Sequence, residues 1–274
     1  MPMTKKIIFI IIGLVVLMVG IAFWFFQPFS SNKPFGNNPS PIGEKTILVN
    51  TLPLEERPYI TLAPKSHIEP KSLGHWVTMT IDNIQKFTRV EYEFEYQTST
   101  MIQGGMGRID FSREATPVSK EIAFGSESKG KYKYDEGVYQ GKFMLTFSDS
   151  KEAVLKADFN LQKASQGTLS SVDGKVKIKL GENDLSADDF VIVASTLGIP
   201  AKLPGKILSD PYGFYADGQR KLKNSSLTFQ AVGSQNAEIF GWNGTQWIEY
   251  KTEVAGGQAQ AAIDQLGTFV LVER

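Results

Sequence analysis

The chain has 274 residues, with 29 basic side chains balanced by 29 acidic ones, no cysteine and two histidines. Without cysteine there is no disulfide, thiol nucleophile, cysteine-based zinc site or acylated lipoprotein residue, so an extracytoplasmic fold would rely on its core. A balanced charge with no clustered basic face gives no footprint for nucleic acid.

The first predicted element is Ile7–Phe26, 20 residues without a charge directly after Lys5 and Lys6. A helix of that length spans the ~30 Å hydrocarbon core of a bilayer. A cleavable leader has a shorter apolar region and a small-x-small site. Here the run ends in Phe23-Trp24-Phe25-Phe26, bulky and suited to the membrane interface. The segment is therefore expected to be a retained signal anchor. Residues 1–6 form a cytoplasmic stub and everything after the helix is extracytoplasmic, by the positive-inside rule. Without Lys5 and Lys6, 27 of the 29 basic residues remain against 29 acidic ones, so the remainder is nearly neutral. Residues 27–44 are rich in Pro, Ser, Asn and Gly and read as a flexible linker.

From Lys45 the pattern turns to short alternating runs. Ile47–Val49 and Tyr59–Leu62 are expected strands. In Trp76–Asp82, Val77, Met79 and Ile81 share one face. Arg89–Tyr96 alternates Val90, Tyr92, Phe94 and Tyr96 with Arg89, Glu91, Glu93 and Glu95. A period of two with one apolar face marks a half-buried antiparallel strand. Gln103–Gly107 reads as a flexible turn. Further strands are expected at Arg108–Phe111, Glu121–Phe124, Tyr132–Tyr134, Lys142–Phe147 and Val154–Leu161.

Ala164–Ser171 is small and polar and marks a boundary, giving one β-sandwich over 45–165 and a second over 166–274. The second begins with Lys175–Leu180 and Phe190–Ser195, with a single helical turn over Ser186–Phe190. The loop Leu197–Asp217 holds one strand, and Phe269–Val272 is the closing strand. Between them, Asn243-Gly244 fits a two-residue type I′ hairpin turn, which sets Phe240 opposite Trp247, Ile239 opposite Ile248 and Glu238 opposite Glu249. The fold class is all-β: two tandem antiparallel Ig-like sandwiches behind one transmembrane helix.

One stretch resembles a known family. Ile239-Phe240-Gly241-Trp242-Asn243-Gly244-Thr245-Gln246-Trp247, Thr252-Glu253-Val254, Gly256-Gly257 and Leu266-Gly267-Thr268-Phe269-Val270-Leu271, with Tyr212–Phe229 upstream, are similar to a β-sandwich module found near the C-terminus of bacterial cell-surface proteins. The resemblance implies a structural or adhesive module with no shared catalytic residues to carry over. It covers residues 210–272; residues 45–165 resemble no family.

Candidate chemistry is sparse. His67 and His75 flank Glu69, but the spacing fits no recurring zinc motif, and two surface histidines are expected. Glu182, Asp184, Asp188 and Asp189 gather oxygen ligands in a loop, as a calcium site does, although no mid-loop glycine or closing glutamate matches an EF-hand. The expectation there is a solvated acidic turn. Ser126–Lys129 and Ser148–Lys151 match Ser-x-x-Lys in loops without the partner motifs of penicillin-recognising enzymes. Trp76, Tyr132, Tyr134 and Tyr139 form a candidate aromatic strip for sugar or peptide, with core filling as the competing reading. No catalytic residue, cofactor or metal is expected.

These features predict a single-pass envelope protein with a non-enzymatic binding, adhesion or scaffolding role. Its partners would be the membrane it is anchored in and an envelope protein or polysaccharide. An accessory module binding polysaccharide or peptidoglycan is the alternative, and an envelope hydrolase using His67 or His75 is a third reading.

Overall fold

In the computed structural model, residues 49–65, 74–84, 86–111, 117–148, 152–231 and 233–273 are described. The predicted anchor Ile7–Phe26, the linker, His67, Glu69 and Lys151 lie outside them. Among the described residues no helix is long and apolar enough to cross a membrane. The described fold is all-β, and its only helices are single 3₁₀ turns at Leu54–Glu56 and Ala164–Gln166.

The first strands are β1 (Tyr59–Pro64), β2 (Trp76–Asp82), β3 (Arg89–Gln97), β4 (Ile102–Asp110), β5 (Val118–Ala123), β6 (Gly125–Ser128) and β7 (Lys131–Tyr134). They are followed by β8 (Gln140–Ser148), β9 (Glu152–Lys163), β10 (Thr168–Ser170), β11 (Val176–Lys179), β12 (Phe190–Ser195) and β13 (Lys206–Ile207). The last are β14 (Tyr212–Ala216), β15 (Lys221–Gln230), β16 (Ala237–Trp242), β17 (Trp247–Tyr250), β18 (Thr252–Ala255), β19 (Gln258–Gln265) and β20 (Thr268–Glu273).

One long antiparallel sheet runs β17-β16-β20-β14-β12-β9-β8-β3-β4, with β13 beside β20. A three-stranded sheet (β1-β2-β5) and a five-stranded sheet (β10-β11-β15-β19-β18) pack against it, and β6-β7 is a separate hairpin. Strand β12 explains how both covers fit. Ile192 and Ala194 belong to the core under β1, β2 and β5, whereas Val191 and Val193 belong to the core under the five-stranded sheet. Successive side chains of a strand point to opposite faces. The two covers therefore lie on opposite faces of the long sheet, and β12 is buried from both sides. A third small core of Ile199, Leu203, Phe240, Val270 and Val272 lies on the faces of β16 and β20 turned away from the five-stranded sheet.

The alternating runs behave as the period of two requires. Val77, Met79 and Ile81 are fully buried in β2, as are Leu155, Ala157 and Phe159 in β9, while Val90, Tyr92 and Tyr96 face the first core from β3. Backbone pairing continues through the small polar stretch after β9: β9 pairs with β12, and Ala164 N–H donates to Asp189 O at 2.9 Å. The body from Ile47 onward forms one compact unit.

Three local expectations are corrected. Gln103–Gly107 is the middle of β4, paired with β3 from Gln97↔Ile102 to Arg89↔Asp110. The glycines are required by packing: a Cβ on Gly105 would lie 2.9 Å from the Phe94 ring, and one on Gly104 would strike the Phe94 carbonyl oxygen. The Asn243-Gly244 hairpin pairs Trp242 with Trp247, Phe240 with Glu249 and Ile239 with Tyr250. The loop is thus two residues longer than a type I′ turn. Asn243 Oδ1 accepts from the backbone N–H of Thr245 and of Gln246, each at 2.9 Å, an Asx-type closure that competes with the tight turn. The longer loop brings Trp242 and Trp247 into edge contact, with centroids 5.4 Å apart, and separates Glu238 from Glu249. Ser186–Phe190 forms a non-helical turn, closed by Asp189 Oδ2 accepting from Ser186 N–H at 3.0 Å, before Phe190 enters β12.

Candidate functional site

The acidic loop does not converge on one point. Asp184 accepts from the backbone N–H groups of Lys223 (2.8 Å) and Asn224 (3.1 Å) and from Ser225 Oγ (2.6 Å). Burial works to raise its pKa, but these donors outweigh it and hold the carboxyl below the ordinary aspartate value. They also hold β15 where its pairing with β19 shifts register, between Lys221 and Ser225. Asp189 turns to Ser186 and to Arg220, 3.5 Å away, and Asp188 lies 3.9 Å from Lys163 Nζ. Glu182 is exposed. Among the described residues no three His, Cys, Asp or Glu side chains are placed to hold a metal ion.

The aromatic residues do assemble, around the start of β2 and the β6-β7 hairpin. Trp76 is 7% exposed and donates Nε1–H to Tyr134 OH at 3.1 Å. It meets Tyr132 edge-on, with centroids 5.0 Å apart and planes at 68°. Tyr132 and Tyr134 are nearly parallel at 7°, and His75 stacks on Tyr134 at 4.9 Å. His75 is half-buried rather than on the surface, and its Nδ1 is buried without a partner among the described residues. Tyr132 and Tyr139 are each 47% exposed. Tyr139 donates its OH to Gln97 and borders a cleft of about 530 Å³ shared with His75, Glu136, Lys163, Asp188 and Phe190. Trp76 is thus packed beneath this surface, and Tyr132 and Tyr139 are the half-exposed rings of the group. The Ser-x-x-Lys serines fall on strands: Ser126 in β6 and Ser148 at the end of β8.

The surface that sequence reasoning missed is the far end of the long sheet. Strand β4 is its last member, nine residues long, and no described strand pairs with its second edge. On the outer face, Ile102 is 66% and Met106 81% exposed, and Met101 just before the strand is 55% exposed. Next to them runs the acidic row of β3, with Glu91 opposite Arg108, Glu93 opposite Met106 and Glu95 opposite Gly104. Lys142 of β8 pairs with Glu95 at 2.7 Å, and this hydrogen bond raises the lysine pKa. A cleft of about 220 Å³, lined by Glu95, Ile102, Lys142, Asp158 and Val172, separates this face from the β10-β11 turn. No local pattern in the sequence signals this edge: Gly107 and Gly105 lie directly across from Tyr92 and Phe94, and the rings that cover them belong to β3.

No family model matches the chain, and neither does any curated protein or any solved structure.

Proposed function

We propose that this chain is a membrane-anchored display module of the cell envelope, held by Ile7–Phe26 and carrying a binding or scaffolding surface outside the membrane. The two packed cores are read as two Ig-like sandwich units that share β12, and the similarity of residues 210–272 to a surface-protein module agrees with an adhesive or structural role. The observation that carries the reading is the grouping of Met101, Ile102 and Met106 on one sheet edge that no described strand pairs with. Large apolar side chains exposed together beside unpaired strand backbone mark interaction surfaces. Specificity would come from that edge and the acidic row behind it.

The test is protease shaving of intact cells, or of spheroplasts where an outer membrane is present. The expected result is loss of the β body while a short membrane-embedded N-terminal fragment survives. A full-length chain that resists until the membrane is permeabilised would defeat the assignment.

A second reading, binding of polysaccharide or peptidoglycan, draws on the half-exposed rings of Tyr132 and Tyr139 beside an open cleft. Retention of the full chain on insoluble peptidoglycan, lost on joint Tyr132→Ala and Tyr139→Ala substitution, would favour it over the edge-strand reading.

A further inference from the structure

We propose that the occupant of the open β4 edge is a second copy of this chain, paired antiparallel about Met106 so that two long sheets join into one. This names the partner of the face on which the display reading rests, and copies tethered in one membrane would meet at raised local concentration.

The backbone comes first. At the two ends of the β3-β4 ladder, Thr98 N–H donates to Met101 O (2.9 Å) and Phe111 N–H donates to Thr88 O (2.7 Å). In an antiparallel ladder, residues alternate between bonding inward and bonding outward. The odd-numbered residues of β4 therefore spend their N–H and C=O groups on β3. Ile102, Gly104, Met106, Arg108 and Asp110 present theirs to the free edge. A two-fold axis at Met106 sets Ile102 against Asp110 of the second copy, Gly104 against Arg108 and Met106 against itself, and each of these pairs exchanges both backbone bonds. Edge strands are commonly guarded by charged side chains, above all lysine, and by proline, a bulge or shortness. Strand β4 is nine residues long, pairs without a register shift and contains neither lysine nor proline, and its two charged side chains, Arg108 and Asp110, neutralise each other at 2.9 Å.

The side chains agree on both faces. On the inner face the same axis sets Gly105 against Gly107 of the second copy. The Phe94 ring lies over Gly105 and the Tyr92 ring over Gly107, so each glycine is covered by its own β3 aromatic. Pairing glycine with glycine brings Phe94 of one copy beside Tyr92 of the other, where any larger residue would hold them apart. On the outer face Arg108, paired with Asp110 of its own strand at 2.9 Å, would stand opposite Gly104, a position without a side chain. Beyond Gly104 stands Glu95, paired with Lys142, so the arginine would join the two ion pairs into one network. The two strand spacings between them, about 10 Å, are within the joint reach of arginine and glutamate side chains. Met106, 81% exposed, would then be covered by its own copy. Parallel pairing of the same edge would turn one copy over, set its outer face beside the other's inner face and forfeit this complementarity.

The chain lacks cysteine, so single cysteines can report the pairing without background. The full chain carrying Met106→Cys, oxidised in its own membranes, should run as a disulfide dimer, whereas Glu253→Cys on the five-stranded sheet should stay monomeric. Co-expressed Ile102→Cys and Asp110→Cys chains should cross-link to each other, and Ile102→Cys alone should not. In detergent, light scattering should find wild type as a dimer and Met106→Lys as a monomer with an unchanged circular dichroism spectrum. Wild type monomeric throughout, with Met106→Cys linking no faster than Glu253→Cys, would overturn the proposal. So would Met106→Cys trapped mainly on a different protein, which would mark the edge as a site for a foreign strand. Shaving reads topology independently, so a correctly oriented chain that fails to cross-link sinks the pairing and leaves the display reading standing.

Discussion

At the scale of single residues, the packing is tightest where side chains are missing. A Cβ on Gly107 would come within 2.3 Å of the Tyr92 hydroxyl and one on Gly105 within 2.9 Å of the Phe94 ring. Gly107→Val should therefore force Tyr92 from its place and cost about 1–3 kcal/mol, the range for overpacking a filled site. Urea denaturation would measure it as a shift in midpoint at constant slope. Asp184 makes a different prediction. Its carboxyl closes a register shift with two backbone donors and one hydroxyl, so Asp184→Ala should destabilise by about 1–3 kcal/mol at neutral pH. Because its pKa is lowered in the fold, that contribution is full above the unfolded value of about 3.9 and is lost as pH falls through the lower folded value. Wild type and variant should thus converge in stability in strong acid, as thermal melts across a pH series would show. A gap that stayed constant into acid would mean that the charge contributes nothing.

At the scale of elements, the Asn243 hairpin separates what the sequence makes legible from what it does not. The strands on either side follow from their composition, and the turn is where Asn-Gly indicates. The register differs because Asn243 has two local options, and its side chain takes the backbone amides of Thr245 and Gln246. Local dipeptide preference cannot decide between them; the longer loop also gains the contact of Trp242 with Trp247 across it. Asn243→Ala should cost about 1 kcal/mol, the net worth of such bonds, read from the thermal midpoint. Tryptophan emission from Trp242 and Trp247 should change with it. Strands such as β2, β3 and β9 were legible because one face is apolar and the other polar, and the period alone places them. Strand β4 was not, because the middle of its inner face is Gly105 and Gly107 and the apolar bulk that covers them is supplied by β3. The exposed edge was hidden for the same reason, since exposure of Ile102 and Met106 depends on strand order rather than on neighbours in sequence. The aromatic group was legible as residue types, but burial of Trp76 and solvation of Tyr132 depend on where the β6-β7 hairpin folds back.

At the scale of the whole molecule, β12 is one wall of two cores, with Ile192 facing one and Val193 the other. The cores should then unfold together. Ile192→Ala, expected to cost about 2–5 kcal/mol, should lower the midpoint reported by Trp76 and that reported by Trp242 and Trp247 alike. Paired tryptophan-to-phenylalanine variants would separate the two signals, and midpoints that move apart would show that the halves are independent. Strand β20 adds a condition on time. It comes after every other strand in the described chain, yet it is central in the sheet, paired with β16 on one side and with β14 and β13 on the other. During synthesis or export, β14 and β16 must therefore wait with raw edges until Thr268–Glu273 emerges. A chain halted before Thr268 leaves both edges open at once, so a strand that emerges after every other one in the described chain decides whether its predecessors close or aggregate.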